Sequence, residues 1–126
     1  MKPTTNLELS QLAFKIKFFR GVSSRDTLSE KPYILEKGIL NLQTENEAGT
    51  HWVAYSKIKN KVFYFDSFGN LPPPIEFIKY MSSNKIFYNR LCYEKYKDVN
   101  CGLLCIKFLK NQTLVPIRKK NPKVFL

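Results

Sequence analysis

The stretch THWVAYSKIKNKVFYFDS, residues 50–67, decides the fold. Residues 50–58 and 61–67 both alternate with the period of two that belongs to a strand. Alternation sets His51, Val53 and Tyr55 on one face of the first strand, and Trp52 and Ala54 on the other. In the second strand Val62, Tyr64 and Asp66 oppose Phe63 and Phe65. Only KNK, 59–61, separates the two, so they are most simply an antiparallel hairpin. A turn of that length pairs residues whose numbers sum to about 117–119. The only histidine of the chain, His51, then lies across from Asp66 to Phe68.

Outward from the hairpin the signals are mixed. Residues 7–19 fit a short helix running into an extended FFRGV segment. Gly21 marks a turn, and the polar residues 23–37, with Pro32, read as a loop. Residues 38–43 read as a short buried strand and 44–49 as a turn. After the hairpin, SFGNLPPP breaks the strand and Pro74 suits the start of a helix through IEFIKYMS. KIFYNR, 85–90, reads as a strand, and CGLLCIKFLKN, 101–111, as a helix whose Leu104, Cys105 and Phe108 form an apolar stripe. The expected architecture is one α+β domain over residues 1–111, a small antiparallel or mixed sheet flanked by helices. Residues 112–126 are expected to form a basic, extended tail containing Pro116 and Pro122.

A chain of 126 residues, 44% hydrophobic, can bury a core without disulfides or metal. Three cysteines, Cys92, Cys101 and Cys105, do not make a disulfide framework. The N-terminus lacks a continuous apolar signal region, and no run approaches the roughly 20 apolar residues of a membrane span. An intracellular, monomeric protein with reduced thiols is expected. The net charge of +11 attracts polyanions. Lys107, Lys110, Arg118, Lys119, Lys120 and Lys123, with no acid after Asp98, are the candidate nucleic-acid contacts. No helix-turn-helix or finger pattern points to sequence-specific reading.

Cys101 stands where the last helix begins, and a helix N-terminus stabilises a thiolate. Gly102 beside it lets a bound peptide backbone approach closely. Cys105 lies on the apolar stripe and reads as core. A nucleophilic cysteine needs a base, and His51 is the only candidate; Asp66 across the hairpin can orient it. Each residue also has a plainer reading: His51 as a packed strand residue, Asp66 as a turn former, Cys101 as a buried inert thiol.

GTHWVAY, YFDSFG and CGLLCIKFL, in that order, resemble the adenovirus-type cysteine proteases, most nearly those of Polinton/Maverick elements and adintovirus-like genomes. FFRGVSSRDTL and GILNLQTENEAGTHW extend the resemblance over residues 7–109. It implies an adenain-like fold, shared with the ubiquitin-like-protein proteases, and a catalytic order of His, Asp, Cys. His51 would be the general base, Asp66 its orienter and Cys101 the nucleophile, hydrolysing a peptide bond of viral or mobile-element precursors through a thioester. The implied setting is a host nucleus or cytoplasm, or a virion. Trp52 would wall the cleft beside His51, although its alternation places it equally well in the core. The chemistry needs no metal or organic cofactor, while virus-type members can be stimulated by DNA and by a basic peptide. The resemblance departs at Glu94, where the family places the glutamine whose amide donates to the oxyanion. An ionised carboxylate donates no hydrogen bond. Glu94 is therefore protonated, or turned away, or a mark of reduced activity. The other functions consistent with these residues are a ubiquitin- or SUMO-like-protein protease, and a catalytically weak protein that holds nucleic acid or a capsid precursor.

Overall fold

The hairpin forms as the alternation requires. In the computed structural model, β3 (Trp52–Ile58) and β4 (Lys61–Asp66) are antiparallel, with Val53 opposite Asp66 and Tyr55 opposite Tyr64. The register sits at the upper end of the expected range, and continuing it by two residues brings His51 level with Phe68. Lys59 takes the left-handed conformation that closes the two-residue turn, at φ 55°. The structure describes residues 6–43, 51–82, 84–90, 101–110 and 124–125.

The remaining elements are α1 (Asn6–Ala13), β1 (Phe19–Ser24), β2 (Leu35–Asn41), α2 (Ile75–Tyr80), β5 (Lys85–Asn89), α3 (Cys101–Lys110) and β6 (Val124–Phe125). The strands lie side by side in chain order from β1 to β6. β3 pairs antiparallel with both β2 and β4, whereas β1 joins β2, β5 joins β4 and β6 joins β5 in parallel. The class is therefore α+β with a mixed sheet. Among the described residues, no helix is long and apolar enough to cross a membrane.

The two faces of the hairpin seed two cores. Trp52, Ala54 and Phe65 pack with Leu9 and Ala13 of α1 and with Cys101, Cys105 and Phe108 of α3. Val53, Tyr55, Val62 and Tyr64 pack with Phe77, Tyr80 and Met81 around α2. Helical spacing explains the choice: residues 9 and 13, 101, 105 and 108, and 77, 80 and 81 each share one helix face. Fully burying a side chain such as Phe77 contributes about 2–3 kcal/mol each time. Cys105 is fully buried, as its place on the stripe implies.

Three local expectations are corrected. Gly21 is not in a turn. It lies inside β1, at the register shift between Phe19 and Gly21, and its φ of 147° belongs to a bulged edge strand. The loop expected over 23–37 is shorter, because β1 runs to Ser24 and β2 begins at Leu35. β3 begins at Trp52, so His51 stands just before the strand and is not held by its pleat. Of the expected tail, only Val124–Phe125 falls within the described residues, and these pair with the edge of β5.

Gly38 shows why β2 tolerates no side chain opposite Tyr55. A Cβ there would sit 2.5 Å from the Tyr55 ring, whose hydroxyl donates to Glu36 at 2.6 Å. Gly38→Ala is expected to cost about 2–3 kcal/mol, because the ring must move and break that bond. Urea denaturation of the variant beside the parent checks this.

Candidate active site

β4 ends at Asp66 because the chain turns there. Gly69 donates its N–H to the Asp66 carbonyl at 2.9 Å, and Gly69 and Asn70 take φ values of 80° and 54°. The Asp66 side chain makes the turn itself: Oδ1 accepts the Phe68 N–H at 2.9 Å, an Asx-type bond. The same Oδ1 stands 2.8 Å from His51 Nε2. One oxygen thus both makes the turn and contacts the imidazole. Its Oδ2 is buried with no partner, so the carboxylate relies on that turn and on His51.

His51 is held on three sides. Its carbonyl accepts the Leu42 N–H at 3.1 Å. The Phe68 ring stacks on the imidazole with centroids 4.4 Å apart and planes 12° from parallel. Its ring is bonded to Asp66 and is close enough to Cys101 for that thiol to raise its pKa. Because Nε2 is engaged by Asp66, Nδ1 is the nitrogen left for the thiol. Asp66 and α3 belong to opposite faces of the sheet, and His51, at the end of β3, is where both can reach.

Cys101 is the first residue of α3 and is only 3% exposed. Its Sγ accepts the backbone N–H of Trp52 at 3.4 Å. Burial disfavours an imidazolium at His51, but the hydrogen bonds and charges of Asp66 and Cys101 outweigh it, raising its pKa from 6.5 to about 9. The arrangement sets a thiol beside an imidazole that stays charged at neutral pH.

The raised pKa has a sign. The folded state holds the His51 proton more tightly than the unfolded chain. Its stabilising contribution is complete below 6.5 and is lost as pH rises through about 9. The stability difference between the parent and His51→Gln should therefore shrink by on the order of 2 kcal/mol between about pH 6 and about pH 9.5. Denaturant titrations at the two pH values measure it.

His51, Asp66 and Cys101 are brought together. Trp52 is not a cleft wall through its side chain: the indole is 5% exposed and packs in the α1–α3 core. Its backbone N–H is what faces the sulfur. Gly102 is buried in the first turn of α3. Lys107 and Lys110 are exposed on α3, away from its packed face. Glu94, Cys92, Arg118, Lys119, Lys120 and Lys123 lie outside the described residues. Among the described residues, no group of three or more potential metal ligands occurs.

The sequence reading missed Asn89, the last residue of β5. Its side-chain Oδ1 accepts the Asp66 N–H at 2.8 Å, and its Nδ2 donates to the Asp66 carbonyl at 2.7 Å. The amide thus acts as a surrogate peptide that extends the β4–β5 ladder to Asp66, and it is 1% exposed. The only signal was a polar residue closing an otherwise apolar strand, and its meaning depends on β5 lying beside β4. Asn89→Asp keeps an acceptor but loses the donor. It also sets a carboxylate against a carbonyl, and is expected to cost about 2–4 kcal/mol. Asn89→Ala, which adds no repulsion, is expected to lose less; thermal melts of the two rank them.

No protein-family model matches the chain, and no curated protein does.

Proposed function

We propose that the chain is a cysteine peptidase of the adenovirus-protease type, with Cys101 as nucleophile, His51 as proton carrier and Asp66 as its orienter. The observation that supports this most is the His51 Nε2–Asp66 Oδ1 contact of 2.8 Å on an imidazole whose pKa Cys101, at the head of α3, also raises. Asp66 holds the proton on Nε2, which leaves Nδ1 as the base. Nδ1 takes the thiol proton, and the sulfur attacks the scissile carbonyl, forming an S–C bond. The imidazolium then gives its proton to the departing amine as the C–N bond breaks, leaving a thioester. Water attacks that thioester, His51 takes the water proton, and the C–S bond breaks to free the acid and the thiolate. The backbone N–H groups at the start of α3 are the donors available to the oxyanion.

The proposed substrate is a precursor polypeptide. Incubation with a peptide library should yield new amine and acid termini, and acid quenching should trap an acyl adduct on Cys101. Adducts formed only with ubiquitin-like C-termini would move the reading to an isopeptide protease. No cleavage and no adduct with either panel would reject a hydrolase.

A further inference from the structure

We propose that the groove at the C-terminal end of α3 docks an acidic segment of another protein, one whose carboxylates are interspersed with apolar side chains. The groove has a volume of about 390 Å³ and is formed where α1 and its exit turn meet β2 and the end of α3. Lys15, Lys17, Lys37 and Lys110 line it together with Leu12 and Phe14. Leu12 and Phe14 are 46% and 67% exposed, so apolar surface lies open between the cations. Among the described residues, no carboxylate forms an ion pair with any of these four lysines.

Lys37 is the inner member. It is half-buried and donates to the Leu109 carbonyl at 3.1 Å, satisfying the end of α3. Burial holds its pKa below the usual lysine value, so an anion beside it relieves a cost already present. Four positive charges around apolar surface are complementary to carboxylates beside aliphatic side chains.

The other occupants fit less well. The chain carries 21 basic and 10 acidic residues, so neither its own basic tail nor a second copy complements the groove. Lys15 lies over the Phe14 ring at 5.7 Å and Lys17 over the Phe18 ring at 5.2 Å, which occupies faces that a nucleic-acid base would need for stacking. A bilayer presents a flat surface to what is here a concavity. The groove is distinct from the candidate active site: Leu109 lies about 12 Å along α3 from Cys101.

The test uses the full chain as Cys101→Ala, so that binding is read without turnover and independently of the peptidase reading. A fluorescein-labelled peptide of about twelve glutamates and leucines, spaced as an amphipathic helix, is titrated by anisotropy. Comparison probes are polyglutamate, a lysine-for-glutamate analogue, a single-stranded oligodeoxynucleotide and phosphatidylserine vesicles. The glutamate–leucine peptide is expected to bind most tightly. Its affinity should fall at least about tenfold in the exposed triple variant Lys15→Glu, Lys17→Glu, Lys110→Glu. It should fall several-fold in Leu12→Ser with Phe14→Ser, both variants retaining the parent's circular dichroism. Undiminished binding by the triple variant would overturn the proposal. So would equal affinity for polyglutamate, or tighter binding of the oligonucleotide or the vesicles.

Discussion

Cys101→Ala is expected to remove peptide hydrolysis, lowering kcat/KM by at least about 10⁴-fold, because the S–C bond of the thioester cannot form. The fold should survive: the side chain contributes a small buried thiol to the α1–α3 core, and alanine keeps its Cβ. His51→Ala should fall nearly as far, since the two act as one unit and their effects do not add. Asp66→Asn is the more informative variant. An asparagine can still accept the Phe68 N–H through Oδ1. The same Oδ1 still accepts from Nε2, so the tautomer is kept, while the amide nitrogen takes the place of the unpartnered Oδ2 and the negative charge that raises the His51 pKa is lost. A loss of about 10–100-fold in kcat/KM is expected, with the His51 pKa lowered. Steady-state kinetics beside thermal melts of the three variants separates chemistry from folding.

Glu36→Ala is expected to be the most damaging substitution for stability, at about 3–5 kcal/mol. Glu36 is fully buried between β1, β3 and α2. Its Oε2 accepts the hydroxyls of Tyr55 and Tyr80, at 2.6 and 2.7 Å. Its Oε1 accepts Arg20 Nη1 at 2.8 Å and the Tyr33 N–H at 2.9 Å. Burial alone would raise its pKa, yet the hydrogen bonds from Tyr55, Tyr33, Arg20 and Tyr80 hold it below the usual value. Alanine would leave two tyrosine hydroxyls and part of the Arg20 guanidinium without their acceptor in a closed space. Glu36→Gln keeps the shape but adds an amide donor where only acceptors are wanted, so about half the loss is expected. Denaturant midpoints at constant slope measure both.

Glu36 also marks where local reading stops. In sequence it sits in a polar run with Pro32, and polarity reads as loop. It is buried because Arg20, Tyr55 and Tyr80, distant in the chain, converge on it, and no window around residue 36 contains them. β1 was legible only in part: FFRGV reads as extended, but the strand runs on to Ser24, and as an edge strand with half-buried side chains throughout its pattern carries no contrast to mark its end. The central hairpin was legible because each of its faces has its own core, which imposes the alternation of Val53, Tyr55, Val62 and Tyr64 against Ala54, Phe63 and Phe65.

The candidate site divides in the same way. His51 and Asp66 could be paired from the length of the KNK turn, and Cys101 from the start of a helix. Asn89 could not be found, because its role exists only once β5 lies beside β4. Trp52 offered two readings, and the core reading holds for the indole while the backbone N–H serves the sulfur.

The most direct measurement is the order in which a thiol-reactive peptide probe labels the three cysteines at about pH 7. The triad predicts that Cys101 reacts first, although it is nearly buried, and that His51→Ala slows it strongly while leaving Cys92 unchanged. Equal labelling of Cys92 and Cys101, indifferent to His51→Ala, would contradict the account.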